Sequence, residues 1–101
     1  MGLQPRRNVF ERVLRRFREK VRTGQYVMTV HAEEELDAEG LAVFDIESAI
    51  LNGRIFERQR DRKTREAKYL VRGKGLDEEP VVAVVKLGPT GKMVIVTVYR
   101  D

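Results

Sequence analysis

The apolar period of the chain changes at Arg54. Before it, Val9, Phe10, Val13, Leu14, Phe17 and Val21 recur at the spacing of one helical face. After it, RIFERQR, KYLVRG, VVAVVKL and MVIVTVYR read as strands rich in Val, Ile and Tyr. The two periods place side chains on different faces, so neither segment can bury its apolar residues in the other's conformation. The chain is therefore constrained to a helical first half and a stranded second half.

Asn8-Val9-Phe10-Glu11 reads as a capping box for a first helix, and Gly24 stands where that helix would end in the left-handed conformation. Residues 1–7 are expected to form a flexible tail ahead of a single domain over 8–101. Thr29 caps a short second helix running to Gly40, with its acids early, at the positive end of the macrodipole. A third helix over about 43–51 is marked by Ile46, Ala49 and Ile50, with Asp45 and Glu47 in its first turn and Asn52-Gly53 as its stop. The separators DRKTRE, KGLDEEP and GPTGK are short and rich in turn formers. Short links favour hairpins. The expected fold is α+β, with three N-terminal helices packed on one face of a four-stranded antiparallel meander.

Alternation assigns the sheet faces. Val81, Ala83, Val85 and Leu87 form an apolar side of the third strand, and Val82, Val84 and Lys86 the other. Tyr69 and Val71 oppose Lys68, Leu70 and Arg72. In the first strand Ile55 opposes Arg54, Phe56, Arg58 and Arg60. One face thus collects Arg58, Lys68, Arg72 and Lys86. The last strand is ambiguous. Burying Val94, Val96 and Val98 would put Thr97 and Tyr99 beside the basic residues, and a one-residue slip would reverse this.

Charge is laid out in blocks. Residues 1–24 hold eight bases and two acids, 31–47 hold seven acids and no base, and 54–74 hold nine bases and three acids, within a net charge of +4. Such blocks usually solvate and neutralise one another, or else leave a positive face for a polyanion. There is no cysteine, which excludes disulfides, zinc–thiolate sites and cysteine nucleophiles. With no apolar run of membrane-spanning length and no secretory signal, the expected location is cytoplasmic, with no membrane partner.

The only histidine, His31, opens HAEEELDAEGL. His31 with Glu34 or Glu35 shares a helical face, but a transition-metal site usually needs three or four ligands. Without a second histidine or a cysteine, no metal and no cofactor are expected. Two readings remain. One is a histidine near a helix N-terminus followed by a solvated acidic face. The other is acid–base work on RNA, in which histidine titrates in the right range, Arg and Lys hold phosphate, and Tyr69 and Tyr99 stack a base or orient a proton. Basic residues on an exposed strand face also have a plainer use, in keeping sheets from aggregating. GKG at 73–75 and GPTG at 88–91 lack a strand–loop–helix context and read as hairpin turns. Ser48, the only serine, lies inside the third helix, and nothing suggests a serine triad.

The order of YVMTVHAEEELDAEGLAVFDIESAILNG, KYLVRG, VVAVVKL and VIVTVYR resembles the bacterial domain-of-unknown-function family 4258. The correspondence lies in His31-Ala32, Gly40-Leu41, Asp45-Ile46 through Gly53, and Val96-Thr97-Val98-Tyr99, and covers about residues 26–100. The resemblance implies kinship with small metal-independent RNases of the barnase, colicin and RelE-like toxin group, whose active face is on the sheet. It makes His31 the first catalytic candidate, followed by Thr97 and Tyr99, and places Lys68 and Arg72 against phosphate, with Arg58 and Lys86 joining from the face assignment. It implies RNA as a partner and an antitoxin-like protein as another. An exposed edge strand and the apolar stripe of the first helix also make a homodimer a candidate assembly. The chain departs from the family pattern where relatives carry His-Ala-x-x-Arg-Met-x-x-Arg-Gly. Glu35 and Glu39 replace the arginines, and carboxylates repel phosphate. The alternative is a non-catalytic protein- or nucleic-acid-binding module in which His31 is structural.

Overall fold

The structure, a computed structural model, describes residues 9–101. Helices α1 (Glu11–Arg22), α2 (Val30–Ala38) and α3 (Val43–Asn52) accompany strands β1 (Tyr26–Met28), β2 (Arg54–Arg60), β3 (Ala67–Lys74), β4 (Pro80–Leu87) and β5 (Met93–Arg100). The sheet order is β1-β5-β4-β3-β2. The last four strands are joined by antiparallel pairings. The expected four-stranded sheet is corrected to a five-stranded mixed one, because Tyr26–Met28 adds a strand parallel to β5. Three residues are too few to show a period of two. The Tyr26 hydroxyl donates to the Glu47 carboxylate on α3, and burial followed by Glu47 pushes its pKa up to about 12.

Leu14, Phe17 and Val21 of α1 and Ile46, Ala49 and Ile50 of α3 are buried against Ile55, Val71, Val81, Ala83, Val85, Met93, Ile95 and Val98 of the sheet. The helix boundaries follow from their ends. Thr29 Oγ1 accepts from Ala32 N at 3.0 Å at the start of α2. Gly24 and Gly40, at φ +69° and +65°, close α1 and α2 in the left-handed conformation. Helix α1 begins at Glu11 with Phe10 as N-cap, while Asn8, and with it the expected capping box and tail, lies outside the described residues.

Two bulges reset the faces. In β2 the pairing passes from Ile55↔Val71 to Glu57↔Leu70, leaving Phe56 as the extra residue. Arg58 then pairs with Tyr69 and turns to the helix side. Its assignment to the face of Lys68, Arg72 and Lys86 is corrected, since one inserted residue inverts a period of two. In β5 the pairing passes from Thr97↔Val84 to Ile95↔Val85, with Val96 extra. Met93, Ile95 and Val98 are therefore buried on the helix side, rather than one unbroken valine series.

Helix α3 lies close on the sheet. A Cβ placed on Gly73 would come within 2.1 Å of the Ala49 carbonyl oxygen, and one on Gly53 within 2.3 Å of the Arg72 carbonyl oxygen. Asn52 locks this approach by pairing with the Lys74 backbone as a strand would. Its Oδ1 accepts from Lys74 N at 2.8 Å and its Nδ2 donates to Lys74 O at 2.9 Å. Among the described residues no helix is long and apolar enough to cross a membrane.

Candidate functional site

The sheet face away from the helices carries a short apolar strip with charges around it. Leu70, Val82 and Val84 are buried there, with Tyr99 packed against them. Strand register lines up Arg54, Arg72, Val82 and Tyr99 in one row across β2, β3, β4 and β5. Leu70, Val84 and Thr97 form the next row. The bulge in β5 thus leaves Thr97 and Tyr99 on the same face as Lys68, Arg72 and Lys86.

Much of the basic margin is matched by carboxylates. Arg72 Nε lies 2.6 Å from Asp101 Oδ2, Lys86 Nζ 3.3 Å from Glu66 Oε2, and Lys74 Nζ 3.8 Å from Glu78 Oε2. All three pairs are partly solvated, where such contacts are individually weak and readily exchanged. At one corner Arg54, Arg72 and Lys74 converge on an open depression of about 670 Å³ floored by Asn52, Gly53 and Gly73. Glu78 is the only carboxylate on that lining. Lys74 was missed as a site residue by reading Gly-Lys-Gly as a turn, although its two-residue spacing from Arg72 was the available signal.

His31 lies elsewhere. Beyond the end of β1, helix α2 takes over along the edge of β5. Thr29 N donates to Ile95 O at 3.0 Å, Thr29 Oγ1 donates to Val96 O at 3.0 Å, and Val98 N donates to Glu35 Oε1 at 3.1 Å. Arg100 Nε continues the series by donating to Glu39 O at 2.9 Å. His31, whose side chain is 67% exposed, sits on this edge with its Nε2 3.4 Å from Glu35 Oε1. The structure therefore brings His31 together with Glu35 and the strand that bears Thr97 and Tyr99. It does not bring His31 to Arg72 or Lys68, which stand on β3 with β4 and β5 between. Among the described residues, no three of His, Cys, Asp and Glu gather as metal ligands would.

The family model described as Domain of unknown function (DUF4258) matches residues 28–100. The matched span holds α2, α3, β2–β5 and the corner depression, and leaves α1 outside it. No curated protein and no solved structure matches the chain.

Proposed function

The chain belongs to the DUF4258 family, whose description assigns no activity, and from its own geometry we propose that it binds single-stranded RNA across the open face of the sheet. The observation that carries this reading is the convergence of Arg54, Arg72 and Lys74 on the corner depression, in line with Tyr99 and the apolar strip. Single strands are held by cations along the phosphates and by aromatic or apolar surface beneath unstacked bases. The corner supplies the first and Tyr99 with its neighbours the second. Arg54 and Arg72 take a backbone phosphate, which displaces Asp101 from Arg72. The test is fluorescence anisotropy of a labelled single-stranded RNA with wild type and the Arg54→Ala/Arg72→Ala double variant, beside a DNA of the same sequence. Binding that falls roughly tenfold or more in the variant supports the reading. Binding unchanged by the variant, or equal for DNA, overturns it.

A second reading, RNA cleavage without metal, is favoured by one observation. His31 is an exposed imidazole beside a carboxylate, at the edge of the strand that presents Thr97 and Tyr99. His31 would move the proton, while Thr97 and Tyr99 position the phosphate. Cleavage of RNA in EDTA by wild type and not by His31→Ala is the expected result. Equal cleavage by both, or none by either, removes this reading and leaves binding untouched.

A further inference from the structure

A second depression, of about 540 Å³, runs between α1 and the β2–β3 side of the sheet. Its floor is Phe10, Val13, Tyr69 and Leu87, all half-buried and packed against the main core. Its rim carries Arg12 and Arg16, one turn apart on α1, and Arg58, turned there by the bulge at Phe56. Among the described residues these three guanidiniums have no carboxylate or carbonyl partner. Other cations are occupied, Arg18 and Arg54 on carbonyls and Arg72, Lys74, Lys86 and Arg100 on carboxylates; the bases of the 62–65 turn are as free as the groove arginines but line only a polar depression. The one acid at the groove, Glu66, is already drawn to Lys86 at 3.3 Å. Unneutralised positive charge thus stands here over an apolar trough.

We propose that this groove docks an acidic peptide segment of another protein, one bearing one or two large apolar side chains flanked by Asp or Glu. The volume suits one or two anchoring side chains, and the three arginines offer paired donors to carboxylates at the rim. Nucleic acid fits less well. Stacking needs a free ring face, and Tyr69 is engaged edge-on by both Phe10 and Phe17, at centroid distances of 6.0 and 5.6 Å. A second copy of the chain also fits less well. Its acidic helix α2 exposes Glu33, Glu34 and Asp37 with Val30 as its one exposed large apolar residue, and its exposed Leu76 is flanked by Asp77 and Glu78, whose carboxylates are already paired with Arg100 and Lys74. The groove involves none of the residues of the RNA corner, so the two proposals fail or stand separately.

The probe is a fluorescein-labelled synthetic helical peptide with leucines along one stripe and glutamates beside them. Its control has glutamine at every glutamate. The full chain, its charge-reversed Arg12→Glu/Arg58→Glu variant and its neutral Arg12→Gln/Arg58→Gln variant are titrated, with circular dichroism confirming the fold. Expected are binding of the acidic peptide, at least about a tenfold loss in the reversed variant with a smaller loss in the neutral one, and a similar loss for the glutamine peptide. RNA binding at the corner should be unchanged by either variant. Equal binding of both peptides, or indifference to both variants, overturns the proposal. So does displacement of the peptide by single-stranded RNA, which would make the groove a nucleic-acid surface. Concentration-dependent self-association of the wild type that the reversed variant abolishes would make a second copy the occupant, and would also overturn it.

Discussion

Arg18 on α1 donates from Nε to Ile50 O at 3.3 Å and from Nη2 to Gly53 O at 2.9 Å. These are carbonyls at the C-terminal end of α3, which no helical N–H can satisfy. Burial, then the neighbouring Arg54 and Arg22, lowers the guanidinium pKa, but the group stays charged and suits the negative end of the α3 dipole. Arg18→Ala is expected to cost about 1–2 kcal/mol in a urea titration, and Arg18→Lys to recover only part of that, because an ammonium lacks the planar fork. Asp45 plays the matching part at the start of α3. Its Oδ2 accepts from Ala42 N at 2.9 Å and its Oδ1 from Leu76 N at 2.8 Å. Those two bonds, Ala42's first, hold its carboxyl below the usual range. The folded state therefore prefers the ionised form. Its stabilisation is complete above the ordinary carboxylate pKa of about 3.9 and is lost as pH falls through the lower folded value. Asp45→Ala should destabilise by roughly 1 kcal/mol at neutral pH, a low figure because the site is solvated, and the gap to wild type should close in acid. The sequence makes half of this legible. An acid in a first turn is a local signal, whereas the bond to Leu76, 31 residues away, is made only when the β3–β4 turn folds back on α3.

At the scale of elements, the three helices and the four strands after Arg54 could be read from periodicity, since each is a local pattern. What escaped were the features in which a neighbour decides. Strand β1 has no pattern of its own and exists because β5 offers an edge. The bulges at Phe56 and Val96 leave no mark on the alternation of apolar residues, yet they decide where Arg58, Thr97 and Tyr99 point. The glycines after α3 and in β3 read as a stop and a turn, when their main task is to admit the helix. Gly73→Ala would push a methyl into the Ala49 carbonyl, which is backbone, and against Asn52 Oδ1, whose side chain is held by its two bonds to Lys74. A loss of about 1–3 kcal/mol or more is expected, seen as a drop in Tm of roughly 4–8 °C for each kcal/mol. Glu35, where the resemblance leads to the expectation of an arginine, has a structural task of its own at this scale. Its carboxylate closes the β5 edge by accepting from Val98 N, which an arginine, a donor only, cannot do. Glu35→Arg should therefore orphan that N–H and cost about 1–3 kcal/mol, while Glu35→Gln, which keeps an acceptor, should cost less. Equal melting temperatures for the two variants would show that the edge bond does not matter.

Over the whole molecule, the charge blocks of the sequence become contacts rather than faces. The acids near the β3–β4 turn and the C-terminus meet the bases of β3–β5 in the pairs Arg72–Asp101, Lys74–Glu78 and Arg100–Asp77. Among the described residues, the acids of α2 meet no arginine of α1. The basic blocks therefore divide, with Arg72, Lys74, Lys86 and Arg100 paired at the sheet and Arg12, Arg16 and Arg58 unpaired at the α1 groove. No run of residues in one strand could reveal that division, because it depends on which strand ends lie together. It bears directly on RNA binding. If phosphate must displace Asp101 from Arg72, the carboxylate is a competitor built into the site. Removing it in Asp101→Ala should then tighten binding of single-stranded RNA, by a few-fold for a partly solvated pair. A different pattern follows if Arg72 contributes only to the general field. Asp101→Ala would then strengthen binding no more than Asp37→Ala, which removes one negative charge from α2 at the far edge of the sheet. The comparison is made by anisotropy over a range of salt. Direct contact by Arg72 also predicts a steeper fall of log affinity with log salt in Asp101→Ala than in wild type, since the freed guanidinium then displaces a counterion from the phosphate rather than exchanging a carboxylate for the phosphate. Parallel salt slopes for wild type and both variants would take Arg72, and with it the corner, out of the interface.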